Sequence, residues 1–338
     1  LAPETEMEPT DENLLLPAFR YGTSEFLKAI GASKVVIGVS GGIDSAVNAA
    51  LYRSILPAEN ILLVNTPTRY NSELTKGLAA ELAKNLGCQL LTVPIGDFID
   101  ETADALEGLP LPDDTVHLTG FMKENMQARD RSSRILAALS AAFGGIFTCN
   151  ANKTETTVGY GTLYGDLAGA FAATADLWKY QIYDLGRKLN AWYGRAVIPE
   201  GIFTVMPSAE LSENQDVTQG KGDPLIYEYH DYLFRSFIEP WQRQTPEDIL
   251  KAYAKGNLED LIGCSIIVSN IFPTAKDFIE DLEKWWNLFS GFAVAKRIQT
   301  PPLLAVSRRP YGYDLSESQL RPYYTDAYLS LKEKLLAD

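Results

Sequence analysis

From residue 34 to residue 149, short apolar runs alternate with longer amphipathic stretches. The run over 34–40 is almost continuously apolar, as expected for a strand that is covered on both faces of a sheet. Because strands alternate with helices of this length, the pattern predicts an α/β fold with a doubly wound parallel sheet and right-handed crossovers. The predicted strands cover 34–40, 61–64, 90–93 and 146–149, and the predicted helices cover 14–30, 43–56, 72–86 and 123–143.

The alternation stops after residue 200. Residues 212–224 are polar and contain glycines, which predicts a loop. Residues 225–292 have helical spacing and many aromatic side chains, which we expect to pack in a core or at a subunit interface. Residues 300–314 contain three prolines and predict an extended segment before a short final helix.

These patterns divide the chain into three parts. Residues 1–13 form a polar tail and residues 14–211 form the α/β domain. Residues 212–338 form a loop and a helical C-terminal segment, with aromatic residues such as Trp241 and Trp285. We expect this segment to pack on the same domain and to lie near a subunit interface.

Charge and cysteine content exclude several classes of protein. Lys and Arg number 30 and Asp and Glu number 44, so the net charge is −14. Because so acidic a surface repels a polyphosphate backbone, we expect no nucleic-acid partner. Three cysteines without CxxC spacing and two histidines offer little for a zinc site or a histidine-based triad. No apolar run has the length of a membrane span and no disulfide framework is visible, so we expect no membrane partner and a cytoplasmic location.

The first candidate site is the segment Ser40-Gly-Gly-Ile-Asp-Ser45, between a predicted buried strand and a helix. Its glycines allow backbone amides to surround an anion, and the helix N-terminus adds partial positive charge. Asp44 suits such a site when a divalent cation lies between its carboxylate and the phosphates. No lysine follows the glycines, so this is not a Walker loop. The alternative interpretation is a plain turn with Asp44 as the helix cap.

Further polar clusters follow between residues 124 and 180. Asn125 and Arg129 are four residues apart, so they share one face of a helix. The string 150–155 follows the fourth predicted strand, at the edge of the sheet where α/β proteins bind ligands. The strings 158–166 and 176–179 come next. Each residue alone has a structural explanation as a cap or packing group, but the strings occur together and in one order.

The segment Ser40–Ser45 resembles the pyrophosphate loop of the N-type ATP pyrophosphatases, which have the adenine nucleotide alpha-hydrolase-like fold. Followed by ENMQARDR, NANKTE, VGYGTLYGD and DLWK, it resembles the NAD synthetase family. Thr68-Arg-Tyr-Asn-Ser72, the PSAEL string at 207–211 and Lys296-Arg297 also resemble family motifs, most closely the synthetase domain of the glutamine-dependent members. The resemblance covers about residues 20–315.

The resemblance implies a reaction. The nicotinate carboxylate of deamido-NAD (nicotinic acid adenine dinucleotide) attacks the α-phosphorus of ATP, and pyrophosphate leaves. Ammonia then displaces AMP and forms the amide of NAD. The protein would thus be a ligase that uses Mg²⁺ and takes ATP as a co-substrate.

The resemblance also implies a set of site residues. Asp44, Glu155 and Lys179 would be catalytic, with Asp44 and Glu155 as the metal ligands. The residues implied to bind ATP are Gly38, Val39, Ser40, Gly41, Gly42, Ile43, Asp44, Ser45, Asn150, Lys179 and Ser208. The residues implied to bind deamido-NAD are Asn125, Arg129, Glu155, Tyr160, Gly161, Thr162, Leu163, Asp166 and Lys296.

The chain departs from the family pattern at three positions. Asn150 and Ala151 replace the usual Thr and Gly, and Ala295 replaces the His of the ammonia-only members. Nothing in the chain matches a nitrilase-like glutaminase, and the first residue is Leu1 rather than Met. We therefore expect an excised C-terminal half or a separate synthetase, supplied with free ammonia or by a glutaminase domain or subunit. Family resemblance further implies a homodimer or larger oligomer.

Two other functions remain open from the sequence. The first is another N-type pyrophosphatase, such as a GMP synthetase-like enzyme or a tRNA-thiolating enzyme. The second is a non-catalytic dinucleotide-binding scaffold. Residues 150–166 argue against the first, the missing CxxC pair against thiolation, and the intact Asp44, Glu155 and Lys179 against the scaffold.

Overall fold

The centre of the molecule is a four-stranded parallel sheet in the order β3-β2-β1-β4. Its strands are β1 (Val35–Gly38), β2 (Ile61–Asn65), β3 (Gln89–Thr92) and β4 (Ile146–Phe147). The computed structural model describes residues 14–212, 215, 217–220, 222–239, 243–310 and 322–337. The predicted polar tail at 1–13 and Trp241 lie outside these residues.

Helices cover both faces of the sheet. On one face α1 (Leu15–Ala29), α2 (Ile43–Arg53), α3 (Glu73–Leu86), α8 (Lys179–Tyr193) and α9 (Glu200–Thr204) share a core with Val35 and Ile37. On the other face Val36 packs with Leu136, and the helices there are α4 (Gly96–Leu106), α5 (Gly120–Arg129) and α6 (Ala137–Phe143). The doubly wound parallel sheet is therefore confirmed.

A second core is helical and aromatic. After α7 (Lys153–Val158), it contains α10 (Tyr227–Ile238), α11 (Pro246–Lys255), α12 (Leu258–Ile262), α13 (Val268–Ile271), α14 (Ala275–Ser290), α15 (Ala293–Gln299) and α16 (Asp326–Ala337). Tyr229, Phe234 and Trp285 are fully buried and contact one another or their neighbours through ring edges. The core interpretation of these aromatics is thus confirmed, and a role at a subunit interface stays a prediction. Helix α10 packs on α7 and α8, which joins this core to the sheet.

Several elements differ from the sequence prediction. Helices α7, α8 and α9 were not predicted. Helix α4 was not predicted either, although Ile99, Ala103 and Leu106 are apolar residues at helical spacing. The helix predicted over 123–143 begins at Gly120 and contains a π-helical segment, Asp130–Leu136, between α5 and α6. Strand β4 is shorter than predicted, since its ladder pairs two residues with Val35 and Val36.

None of the helices in the described residues is both long and apolar enough to span a bilayer. The three cysteines are buried and free. Burial raises the pKa of the Cys149 thiol to about 12.

Candidate functional site

Residues 40–45, called here the phosphate loop, connect the end of β1 to the first turn of α2. Gly41 has a φ of 91°, and a Cβ there would lie 2.8 Å from the carbonyl carbon of Thr75, so the position requires glycine. Ser45 Oγ accepts a hydrogen bond from the Ser40 amide at 3.3 Å and donates to the Gly42 carbonyl at 3.0 Å. Helix α2 has no side-chain cap at Gly42, which leaves its first amides available to an anion. Because Asp44 lies inside the helix, the interpretation of Asp44 as a cap is wrong.

Asp44, Glu155 and Lys179, called here the charged group, come from the first turns of α2, α7 and α8. Lys179 Nζ lies 2.6 Å from Asp44 Oδ2 and 3.0 Å from Glu155 Oε1. Asn152 Nδ2 donates to Asp44 Oδ1 at 2.9 Å. Burial opposes the charge on Lys179, but the two carboxylates outweigh it and raise the pKa of Lys179 well above its usual value. Burial raises the pKa of Glu155 to about 7 in spite of Lys179.

Two residues beside the charged group, Tyr227 and Asp223, were not predicted as site residues. The Tyr227 hydroxyl oxygen lies 2.9 Å from Glu155 Oε1 and 2.9 Å from Asp223 Oδ2. A tyrosine hydroxyl carries one hydrogen, so the two carboxylates share it as acceptors. Tyr160 donates to Asp223 Oδ1 at 3.0 Å. Tyr227 therefore joins Glu155 to Asp223, and Tyr160 holds the other oxygen of Asp223.

A cavity of about 270 Å³ lies at the carboxyl end of the sheet. Thirteen of the residues that we expected to bind ATP, metal or deamido-NAD line it. They are Gly38, Val39, Ser40, Gly42, Ile43, Asp44, Ser45, Asn150, Glu155, Tyr160, Asp166, Lys179 and Ser208.

The other expected residues lie outside the cavity lining, and one of them, Gly41, lies in the turn of the phosphate loop. The rest lie near Asp166 and, together with it, are called here the outer group. They are Asn125, Arg129, Gly161, Thr162, Leu163 and Lys296. Thr162 Oγ1 donates to Asn125 Oδ1 at 2.9 Å, and the Thr162 amide donates to Asp166 Oδ1 at 2.7 Å. Arg129 Nε donates to the Leu163 carbonyl at 3.1 Å. Since Asp166 also lines the cavity, the outer group is continuous with it.

Two expected ATP-binding side chains are bonded within the protein. Asn150 Nδ2 donates to the Gly38 carbonyl at 2.9 Å, and its Oδ1 accepts from Thr148 at 3.1 Å. Ser208 Oγ donates to the Gln215 carbonyl at 2.7 Å. In this structure both residues therefore shape the wall of the cavity.

Arg131 and Glu210 form a further part of the wall that the sequence analysis did not assign. Arg131 Nε donates to the Thr66 carbonyl at 3.2 Å, and its Nη2 donates to Asn71 Oδ1 at 3.2 Å. Glu210, with a φ of 46°, accepts hydrogen bonds from Asn71 at 3.3 Å and Thr75 at 2.6 Å. Burial lowers the pKa of Arg131 to about 10. Both residues lie inside motif strings, but their shared contact with Asn71 depends on the fold.

Comparisons with known proteins identify the family of this chain. Residues 20–262 match the family model described as NAD synthase. The glutamine-dependent NAD(+) synthetase of Thermotoga maritima is 38% identical over 244 residues, which cover 71% of this chain and 40% of that protein. The chain belongs to the NAD synthase family. A second family protein, the glutamine-dependent NAD(+) synthetase of Xanthomonas campestris, is 33% identical over 92% of this chain and 50% of its own length.

A solved structure supports the same fold. The glutamine-dependent NAD(+) synthetase of Cytophaga hutchinsonii superposes with a TM-score of 0.69 at 17% identity and covers 97% of this chain and 56% of that chain. The chain thus spans about half the length of the curated NAD synthase family members that it matches.

The charged group can be tested as a magnesium site of this family member. Within the described residues, no three His, Cys, Asp or Glu side chains converge as a metal cluster. Asp44 and Glu155 both contact one cation, the Lys179 amine, so a positive charge already lies between them. Mg²⁺ is commonly held by one or two carboxylates together with substrate phosphates. The residues therefore fit a Mg²⁺ ion that is shared with a phosphate substrate.

Proposed function

We propose that the chain catalyses the ATP-dependent amidation of deamido-NAD to NAD, through an adenylated intermediate, with release of AMP and pyrophosphate. The observation that carries this proposal is the position of the phosphate loop and the charged group on one cavity at the carboxyl end of the sheet. The names of the curated relatives, glutamine-dependent NAD(+) synthetases, support the choice of substrate.

In the first step, a nicotinate carboxylate oxygen forms a bond to the α-phosphorus of ATP. The bond from that phosphorus to the oxygen of the β-phosphate breaks, and pyrophosphate leaves with the electron pair. Lys179 and the amides of the phosphate loop stabilise the negative charge that builds up on the leaving group. Asp44 and Glu155 would hold Mg²⁺, which supplies further positive charge beside the phosphates when it is bound.

In the second step, the nitrogen of ammonia forms a bond to the acyl carbon of the adenylate. The bond to the AMP oxygen breaks, AMP leaves, and the nitrogen releases a proton as the amide forms. No protein side chain becomes covalently attached. The protein's task is therefore to position two anionic substrates and to offset their charge.

The two substrates extend over two parts of the site. A cavity of about 270 Å³ is slightly smaller than most ligand pockets, so it suits the reacting groups rather than two whole nucleotides. We place the ATP phosphates at the phosphate loop and deamido-NAD along the outer group, with Tyr160 and Asp166 where the two meet. We further propose that the working form is at least a dimer and that ammonia arrives free or from a glutaminase domain or subunit.

The test is a turnover assay with deamido-NAD, ATP, Mg²⁺ and ammonium, in which NAD and pyrophosphate are both measured. A second arm replaces ammonium with glutamine, and a third replaces deamido-NAD with xanthosine monophosphate. NAD and pyrophosphate in equal amounts with ammonium are the expected result. Pyrophosphate that forms only with xanthosine monophosphate would identify a GMP synthetase-like enzyme instead.

The control variant for this assay is Asp44→Asn. Because the side chain keeps its shape but loses its charge, it should bind metal and phosphate poorly and lower turnover by about 100-fold or more. A folded Asp44→Asn protein with full turnover would contradict the proposed site. A wild-type chain that forms no pyrophosphate with any of these acceptors would support the scaffold alternative.

A further inference from the structure

Helix α8 begins next to a residue that cannot cap it. The first amides of a helix have no partner within the helix and need acceptors from elsewhere. The residue at the cap position, Trp178, makes no side-chain cap bond. Its indole is a donor only, and it donates to Glu239 Oε1 at 2.8 Å. The acceptors for Lys179 and Tyr180 must therefore come from other elements.

Two side chains from neighbouring helices supply them. Thr154 Oγ1, in α7, accepts a hydrogen bond from the Lys179 amide at 3.0 Å. Asp231 Oδ2, in α10, accepts one from the Tyr180 amide at 2.9 Å. Thr154 Oγ1 also donates to Asp231 Oδ1. Thr154 is 0% exposed and Asp231 is 1% exposed, so water cannot easily replace either acceptor.

The same contacts join the two helices that carry the charged group. Thr154 precedes Glu155 directly, and Lys179 is the first residue of α8. Any slide of α8 along α7 must break the hydrogen bond between Thr154 and the Lys179 amide. It would also change the 3.0 Å distance between Lys179 Nζ and Glu155 Oε1. The carboxylate of Asp231 adds a favourable charge at the N-terminus of α8.

Helix α10 reaches the charged group in two ways. Tyr227 and Asp231 are four residues apart and so share one face of α10. Tyr227 contacts the Glu155 side chain, and its ring lies 4.7 Å from Lys179 Nζ. Asp231 accepts a hydrogen bond from the amide of Tyr180, the residue after Lys179. The face of α10 that carries Tyr227 and Asp231 thus contacts both the charged group and the start of α8.

We propose that Asp231 and Thr154 are positioning residues that hold Lys179 and Glu155 at the spacing needed for the phosphates of ATP. The effect on turnover rests on the proposed function. Loss of a residue that orients the groups in contact with a metal or substrate typically lowers affinity or activity by about 10- to 100-fold. We therefore expect this range for kcat, with little change in the KM for deamido-NAD, since the outer group is untouched.

The experiment uses two matched pairs in the full chain. Thr154→Val removes the hydroxyl with the shape kept, whereas Thr154→Ser keeps the hydroxyl and should restore most of the turnover. Asp231 accepts hydrogen bonds from the Thr154 hydroxyl and the Tyr180 amide, and Asp231→Asn replaces one accepting oxygen with an NH₂ group that cannot accept. Glu228→Gln makes the same chemical change at an exposed site on the same helix. Thermal unfolding gives the folded fraction, and turnover is expressed per folded molecule.

A binding measurement makes the inference independent of turnover. The probe is α,β-methylene ATP with Mg²⁺, which cannot be cleaved between its α- and β-phosphates. Thr154→Val and Asp231→Asn should weaken its binding by about 10-fold relative to their partners. No NAD from the wild-type chain, together with this weakened binding, would support the inference and overturn the proposed function. Equal turnover per folded molecule and equal binding within both pairs would overturn the inference.

Discussion

The cavity has two parts that are built in different ways. The phosphate loop comes from six consecutive residues, and its hydrogen bonds join Ser40, Gly42 and Ser45 to one another. The charged group draws its three members from three helices, and its distances depend on how those helices pack. A change in the loop should therefore act locally on anion binding. A change in the charged group should lower the stability of the whole chain as well.

Replacing Lys179 with methionine should give the largest loss of stability. The change leaves Asp44 and Glu155 side by side without the buried cation, which should lower the free energy of unfolding by about 3–5 kcal/mol. Urea unfolding without metal measures this loss. Added Mg²⁺ should restore part of it, because a divalent cation can take the place of the amine.

The control for this change is Lys188→Met on the same helix. Lys188 forms a partly exposed pair with Asp184 at 3.1 Å, and ion pairs that are open to solvent contribute at most about 1 kcal/mol. Lys179→Met and Lys188→Met could lower the free energy of unfolding equally, or Mg²⁺ could fail to stabilise Lys179→Met. Either result would remove the distinction between the two parts of the cavity.

The charged group should also make stability depend on pH. Burial raises the pKa of Glu155 from 4.5 to about 7, so the folded protein keeps a proton that the unfolded chain loses in this range. Stability without metal should therefore fall as the pH rises from about 4.5 to about 7, by about 3 kcal/mol at most. Urea unfolding of the wild type and Glu155→Gln at several pH values measures the difference. If the difference in unfolding free energy between the wild type and Glu155→Gln stayed constant from pH 4.5 to pH 7, the raised pKa of Glu155 would be contradicted.

In the phosphate loop, Gly41→Ala should lower the free energy of unfolding by a smaller amount, about 2 kcal/mol. Alanine at a φ of 91° is strained, and its Cβ would meet the backbone of Thr75. Gly42→Ala is the matched control, since Gly42 has a φ of −90° and a Cβ there would be 3.4 Å from the Ser40 hydroxyl oxygen. Chemical denaturation of both variants tests this order. A larger loss at 42 than at 41 would contradict the loop geometry.

Ser45→Ala should have the smallest effect. It removes two hydrogen bonds inside the loop and should weaken the binding of α,β-methylene ATP by about 1 kcal/mol, or about fivefold. Ser54→Ala, at the other end of α2, is expected to leave that affinity unchanged. If Ser45→Ala lowered the free energy of unfolding as much as Lys179→Met, the loop would not be the local unit described here.

The centre of the sheet was predictable because β1 and β2 are buried on both faces. Strands β1 to β3 lie within two residues of the predicted bounds, since their apolar runs are short and continuous. Helix α4 was missed even though Ile99, Ala103 and Leu106 recur at i, i+4 and i+7. The local pattern therefore indicated this helix, and the prediction did not use it.

The same division applies to the site. The phosphate loop was predicted as a continuous string, and the structure places it where β1 meets α2. Tyr227 lies 72 residues from Glu155 in the chain, so no local pattern links them. Asp223 was assigned to a polar loop, and its contact with Tyr160, 63 residues away in the chain, depends on the fold. The roles of the individual residues in ATP and deamido-NAD binding stay predictions.

The π-helical segment Asp130–Leu136 has a consequence for how this chain can change length. Its hydrogen bonds run to the fifth residue rather than the fourth, so it holds more residues per turn than an α-helix. Deleting one residue from a plain α-helix rotates everything beyond the deletion by about 100°. Deleting one residue from this segment would instead restore an ordinary α-helix, so Leu136 could stay against the sheet and Arg131 in the cavity wall. The segment should therefore tolerate the loss of one residue far better than α5 or α6 would.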